Sequence, residues 1–270
     1  MGRHPKMSTL TNPVGDVFSS VARKYDTMND IMSLYTHRLW KDYFVRSLNP
    51  GIPNSQMQIL DVAGGTGDIA FRILEHATEL NNDITAKVRV VDINEKMLKF
   101  GRRKVEKGDM KKWEGRVEFS QGNAEVLDEI KDDSVDLYTI AFGIRNVTHI
   151  DRVLKSAYRV LKPGGVFACL VYAPDERFTD DQEFSKPTNP IFASIYHRYS
   201  FTLLPLMGQI IAGDRDAYQY LVESIERFPK QEDFASMIHE AGFHLPGKEG
   251  EEAWENLTGG IVAIHRGIKV

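Results

Sequence analysis

The chain has 270 residues, 42% hydrophobic and 27% charged, the composition of an ordinary globular domain able to bury a full core. A net charge of −4 leaves no basic field for nucleic-acid phosphates, which excludes nucleic acid as a partner. The single cysteine, Cys169, lies in an apolar run, so neither a disulfide framework nor a thiolate metal cluster is expected and the compartment reads as reducing; no apolar stretch has the roughly eighteen residues of a membrane-spanning helix.

Residues 1–13 read as a flexible segment in which Arg3, His4 and Lys6 hint at a transit sequence. Further on, Phe18, Val21, Tyr25, Met28, Ile31, Met32, Leu39, Trp40 and Phe44 recur at helical spacing, which predicts two or three helices over residues 14–50, ahead of the main domain. From spacing alone, His37 and Trp40 could simply belong to a packed helix face.

The stretch Gln58-Ile-Leu-Asp-Val-Ala-Gly-Gly-Thr-Gly-Asp68 is a short apolar strand that ends in an acid and breaks into glycines before a helical pattern begins. Glycines at 64, 65 and 67 permit positive φ and a close approach of backbone to a ligand, and the following helix offers unpaired N–H groups. Residues 65–70 also satisfy G-x-G-x-x-A, the dinucleotide fingerprint, so the turn by itself leaves two cofactor classes open. Asp61 favours one of them, because a carboxylate at the strand end suits a sulfonium or an amino-acid ammonium and repels a pyrophosphate. Asp92 ends the next apolar run, where it can accept hydrogen bonds from both ribose hydroxyls of either class.

Periodic runs up to residue 80 and over residues 95–107 predict two crossover helices of right-handed βαβ units. Residues 116–121 alternate as a strand and deliver Gly122-Asn123-Ala124, where Asn123 either caps the next helix or offers its amide to an adenine edge. Strand four is read over residues 135–142 and ends in Gly143-Ile-Arg-Asn146, beside the crevice in which open parallel sheets bind ligands. Residues 149–161 are predicted helical and are stopped by Lys162-Pro-Gly-Gly165; a fifth strand begins over residues 166–170. Residues 188–228, rich in aromatic and aliphatic side chains, predict a helical cap, read either as core or as a pocket wall for an apolar tail that could also rest on a membrane surface. A last helix is expected over residues 231–241.

Four stretches carry a resemblance: Tyr25-Asp-Thr-Met-Asn-Asp-Ile-Met-Ser33, His37-Arg-Leu-Trp40, Arg159-Val-Leu-Lys-Pro-Gly-Gly165 and Leu257-Thr-Gly-Gly-Ile-Val-Ala-Ile-His265. From about Val14 to Val270 the chain resembles the ubiquinone and menaquinone biosynthesis C-methyltransferases, in their eukaryotic ubiquinone branch. The resemblance implies an α/β fold, the seven-stranded, mostly parallel, doubly wound sheet of class I S-adenosylmethionine-dependent methyltransferases, as one domain over residues 14–270. It implies cofactor contacts from Asp61, Gly65, Thr66, Gly67, Asp92, Asn123 and Ala124, substrate contacts from Tyr25, Asn29, His37 and Asn146, a catalytic Arg145, and no metal. The activity implied is C-methylation of a prenylated benzoquinol, of the 2-methoxy-6-polyprenyl-1,4-benzoquinol type, in ubiquinone biosynthesis. The setting implied is mitochondrial, peripheral on the matrix side of the inner membrane, with other subunits of a ubiquinone biosynthesis complex as partners and room for a homodimer.

Three departures from the family pattern stand out. Ala141 occupies a position where many members carry a serine. The family continuation Leu-Glu-Phe-Ser-Lys-Pro is displaced to Glu183-Phe-Ser-Lys-Pro187 by residues 171–182, and residues 245–254 are longer than the family link. Alternation along strand five leads us to expect Val171 and Tyr172 to take the places of Glu183 and Phe184, with the rest of the insertion a surface loop. Two other functions fit the cofactor half equally: an O-methyltransferase on a small phenol or acid, and a cofactor-binding scaffold without turnover.

Overall fold

The computed structural model describes residues 36–172, 223–225, 227–246 and 253–270. The 1–13 segment, Tyr25, Asn29, the helices expected before Thr36, nearly all of the 188–228 cap, the insertion from residue 173 onward and much of the 245–254 excursion lie outside these residues.

A first helix, α1 (Thr36–Leu48), is followed by β1 (Gln58–Val62), α2 (Asp68–Glu79), β2 (Lys87–Asp92), α3 (Glu95–Lys107) and β3 (Val117–Gln121). The chain then returns to the middle of the sheet through β4 (Val135–Ala141), α4 (Ile150–Val160) and β5 (Leu161–Tyr172), and closes with α5 (Gln231–Glu240), β6 (Phe243–His244), β7 (Trp254–Leu257) and β8 (Val262–Lys269). The strand order is β3-β2-β1-β4-β5-β8, parallel through β5, with β8 antiparallel to β5. Both β6 and β7 pair antiparallel with β8, at its two ends, so among the described residues the sheet has eight strands in the seven expected positions. Chain order reverses between β1 and β4, and such a switch point opens a crevice at the carboxyl ends of the strands.

Two hydrophobic layers cover the sheet. Helices α1, α2 and α3 pack on the face carrying Ile59, Val88, Leu137 and Ile264, whereas α4 and α5 pack on the face carrying Leu60, Tyr138, Phe167 and Cys169. In α1 the buried residues are His37, Trp40, Phe44 and Val45, spaced to form one helical stripe. Asn94 caps α3 by accepting from the amides of Lys96 and Met97.

Strand β5 differs from expectation at its start. It begins at Leu161 rather than at Val166, and its pairing with β4 jumps from Val135↔Leu161 to Leu137↔Val166. The intervening Pro163, Gly164 and Gly165 bulge instead of forming a separate turn, helped by the positive φ of Gly164 (81°). At its other end the alternation prevails: Val171 pairs with Ala263 and Tyr172 with Val262, Val171 joining the α4/α5 layer and Tyr172 the α1/α2 layer.

Candidate active site

At the switch point the ends of β1 and β4 are both strained. Ala63 (φ 52°) and Phe142 (φ 59°) adopt left-handed conformations that non-glycine residues avoid. The next residues fit only because they lack side chains: a Cβ on Gly143 would lie 2.4 Å from the Cβ of Ala63. Gly65 (φ 56°) and Gly67 (φ 87°) use the positive φ expected of the glycine turn. Gly64 does not; it is required for space, since a Cβ there would come within 2.5 Å of Asp61 Oδ2. The Gly64 amide donates to the Val91 carbonyl at 3.3 Å and the Gly67 amide to the Gly64 carbonyl at 2.9 Å, which draws the loop over the end of β2.

Asp61 does not lie on the crevice surface as its strand-end position suggested. It is 0% exposed, beneath the glycine turn, with Oδ1 accepting from the Thr139 hydroxyl at 2.9 Å across the β1–β4 pair. Its Oδ2 has no hydrogen-bond partner among the described residues. Burial pushes this carboxyl up to about 7, against the opposing Thr139 hydrogen bond and reinforced by the charges of Asp68 and Asp92.

A folded-state pKa above the unfolded value means that the folded protein holds the extra proton between about pH 4 and 7. Asp61 therefore favours folding below that window and opposes it progressively as pH rises through it. Melting curves of the cofactor-free protein at pH 5 and pH 8 are expected to differ less in Asp61→Asn than in the parent; an unchanged difference would remove Asp61 as its cause. Asp68 acts in the opposite sense: burial alone would raise it, but Lys41 of α1 (2.8 Å) and Arg72 (3.0 Å) hold it well below the usual carboxylate range.

Asp92 reaches the turn directly. Its Oδ2 accepts from the Gly65 amide at 2.9 Å and its Oδ1 from the Asn94 amide at 2.8 Å, while burial raises its pKa against these two hydrogen bonds. The buried Thr66 hydroxyl accepts from Lys104 Nζ of α3 at 3.1 Å. Gly122 donates to the Asp92 carbonyl at 3.1 Å, so Asn123 and Ala124 stand next to the β2 end. Asn123 Oδ1 accepts from the Glu125 amide at 2.9 Å, the local capping role left open above, which leaves the amide NH2 as the group able to meet an adenine.

Beyond β4, residues Ile144–Asn146 form one 3-10 turn that presents Arg145 and Asn146. Arg145 Nη1 donates to the Ser224 hydroxyl, and the buried Asn146 Oδ1 has no hydrogen-bond partner among the described residues. Glu125, which sequence reasoning missed, anchors the far side of this loop: it accepts from the amides of Thr148 (3.0 Å) and His149 (3.1 Å) and pairs with His149 Nδ1 at 3.0 Å. His37 is buried in α1, one turn before Trp40. The indole of Trp40 donates to the Thr258 hydroxyl at 2.7 Å and meets Tyr172 edge-on at 5.9 Å; Tyr172 in turn packs on Phe142 at 4.8 Å. These aromatic rings join α1 to the ends of β4 and β5.

The first turn of α2 begins at a left-handed Gly67 with no side-chain cap, beside the acid of β2 and the cradle of the glycine turn. An adenosine with a positively charged amino-acid arm fits these groups: Asp92 for the ribose, the close backbone of Gly64 and Gly65, and beneath them the Oδ2 of Asp61, which has no hydrogen-bond partner among the described residues. Fold and site together define a class I S-adenosylmethionine-dependent methyltransferase. The solved structures it resembles agree in fold: a SAM-dependent methyltransferase from Aquifex aeolicus superposes with TM-score 0.57 at 16% identity, covering 93% of this chain and 98% of that one. The chain belongs to the ubiE/COQ5 methyltransferase family, whose profile matches residues 6–269. It is 58% identical over 257 residues to the mitochondrial 2-methoxy-6-polyprenyl-1,4-benzoquinol methylase of Schizosaccharomyces pombe, covering 95% of this chain and 79% of that protein. It is 45% identical over 285 residues to the human protein of that name (95% and 80%). It is 48% identical over 258 residues to the ubiquinone/menaquinone biosynthesis C-methyltransferase UbiE of Brucella suis (95% and 85%).

Proposed function

We propose that the chain methylates a ring carbon of a prenylated benzoquinol in ubiquinone biosynthesis. The observation that carries this reading is the turn after β4, where a guanidinium and the side-chain Oδ1 of Asn146, which has no hydrogen-bond partner among the described residues, stand side by side at the switch-point crevice. A hydroquinone ring offers both complements: a hydroxyl to donate to Asn146 and an oxygen that becomes anionic beside Arg145. S-adenosylmethionine, when bound, supplies the electrophilic methyl group.

The protein's own part is to orient the ring, exclude water and stabilise the phenolate that makes the ring carbon nucleophilic. Arginine stays protonated with a pKa above about 12, so Arg145 stabilises charge or orders a water rather than removing the proton itself. Asp92, Gly65, Thr66, Gly67, Asn123 and Ala124 are assigned to the cofactor, with Asp61 acting from beneath the turn; Asn146 and His37 are assigned to the substrate. The names of the mitochondrial relatives support the same compartment here, and we assign the chain to the matrix side of the inner membrane as a peripheral protein, in contact with other subunits of a quinone biosynthetic complex.

Arg145→Lys is expected to leave cofactor affinity nearly intact and to lower turnover, because an ammonium cannot reproduce the planar fork that holds an oxyanion or water. Turnover with an isotopically labelled methyl donor and a benzoquinol measures it, and product analysis locates the label. Parent-like turnover in the variant, or label on oxygen, would overturn the assignment.

A further inference from the structure

A turn that presents Asn146 to a substrate has to be held in register with the rest of the crevice. Its own backbone bonds are local: the Asn146 amide donates to the Gly143 carbonyl at 3.0 Å and the Val147 amide to the Ile144 carbonyl at 3.2 Å. The next two amides, of Thr148 and His149, lie at the entry to α4, ahead of its intrahelical ladder, and His149 provides no side-chain cap. Glu125 supplies their acceptor from another segment, 23 residues before Thr148. Its Oε1 accepts from both amides, at 3.0 and 3.1 Å, and its Oε2 meets His149 Nδ1 at 3.0 Å. The Glu125 side chain is only 13% exposed. Burial alone would raise its pKa, but His149 and the two amides hold it below the usual carboxylate range.

In the loop after β3 the same residue uses its backbone instead. The Glu125 amide donates to Asn123 Oδ1 at 2.9 Å, and its carbonyl accepts from the Ser156 hydroxyl of α4 at 2.9 Å. The Asn123 carbonyl accepts from the amides of Val126 (3.1 Å) and Leu127 (2.9 Å), and the Gly122 amide donates to the Asp92 carbonyl. None of these bonds involves the carboxylate. Removing it would release the entry to α4 and leave this loop with its hydrogen bonds intact. We infer that Glu125 is a positioning residue for the quinol: its carboxylate sets the Asn146 turn against the loop assigned to the adenosine, and so sets the ring carbon against the methyl donor. The inference rests on the assignment of Asn146 to the substrate. An ionised carboxylate suits the task, since one oxygen has lone pairs for two amides, the other serves the imidazole, and charge-assisted bonds are shorter and stronger than neutral ones.

The experiment uses the full chain with a labelled methyl donor and a short-chain 2-methoxy-6-prenyl-1,4-benzoquinol, and calorimetry measures S-adenosylmethionine affinity separately. Glu125→Ala is expected to lower kcat/KM for the quinol by about tenfold or more, because a misplacement of about 1 Å at the reacting centre can cost about a hundredfold. Cofactor affinity should stay near that of the parent. Glu125→Gln keeps an oxygen for both amides and turns its NH2 toward His149 Nδ1, which accepts in the other imidazole tautomer, so it should recover most of kcat/KM.

Parent-like kcat/KM in Glu125→Ala overturns the inference. So does a fall that Glu125→Gln leaves unrestored, or one matched by an equal loss of cofactor affinity, as a general loosening of the structure would give. Asn146→Ala, assayed in parallel, separates the inference from the assignment beneath it. An impaired Asn146→Ala beside a parent-like Glu125→Ala removes the positioning role alone, whereas a parent-like Asn146→Ala removes both. Should Glu125→Ala fail to fold, Glu125→Asp decides, because a side chain one methylene shorter keeps the charge but cannot reach both amides. Reduced kcat/KM with parent-like cofactor affinity in that variant supports the inference, and parent-like kcat/KM overturns it.

Discussion

Gly64→Ala is expected to lose most cofactor binding and to destabilise the fold by about 1–3 kcal/mol, the usual cost of forcing extra volume into a packed interior. The added Cβ would lie 2.5 Å from Asp61 Oδ2 and 2.8 Å from Val90 Cγ1, and both of those residues are 0% exposed, so neither neighbour can swing away. Relief has to come from the loop. Moving Gly64 disturbs the Gly67 amide that donates to its carbonyl and the Gly65 amide that donates to Asp92. Gly65→Ala makes a useful comparison: its nearest contact would be the flexible end of Met97 at 3.3 Å, so the strain there comes from φ rather than from collision. Thermal melts with calorimetric titration of S-adenosylmethionine measure both effects. Parent-like affinity in Gly64→Ala would mean that the turn is not the cofactor cradle.

Asp92→Ala is expected to weaken S-adenosylmethionine binding by about 3 kcal/mol, roughly a hundredfold in Kd. One part of that loss is the charged acceptor for the ribose hydroxyls. Another is internal, because the carboxylate holds the Gly65 amide at 2.9 Å and the Asn94 amide at 2.8 Å, so its removal leaves the turn without an anchor. Titration calorimetry on the purified variant tests it, and unchanged affinity would reduce Asp92 to a strand-end acid with a local structural role.

What was legible in the chain were the features set by near neighbours. The apolar run of β1, the glycine turn and the start of α2 follow one another within about a dozen residues, and α3 spans the 95–107 window read from its periodicity, because amphipathic spacing and a cap at Asn94 act over single turns. Alternation likewise carried β5 to Tyr172, since each residue of a strand must choose one of two faces and both are covered here. The start of β5 was misjudged, as the same Pro-Gly-Gly signal serves a turn or a bulge and only pairing with Val135 and Leu137 chooses between them.

By itself, the sequence determined the doubly wound α/β class, the position of the glycine turn, the acids that flank it and the family to which the chain belongs, because these depend on residue type and short spacing. Tertiary structure alone decided what each group does there. Asp61 is sealed under Gly64 rather than open to the crevice because β4 supplies Thr139 from 78 residues away, and Trp40 is fixed by donating to Thr258, 218 residues further along. Glu125, Arg145 and Lys41 gain partners in the same way, through contacts between segments that no local pattern links. A hydrogen bond of this kind costs chain entropy to close and is selected by the packing of the whole sheet, so its partners cannot be read from either segment alone.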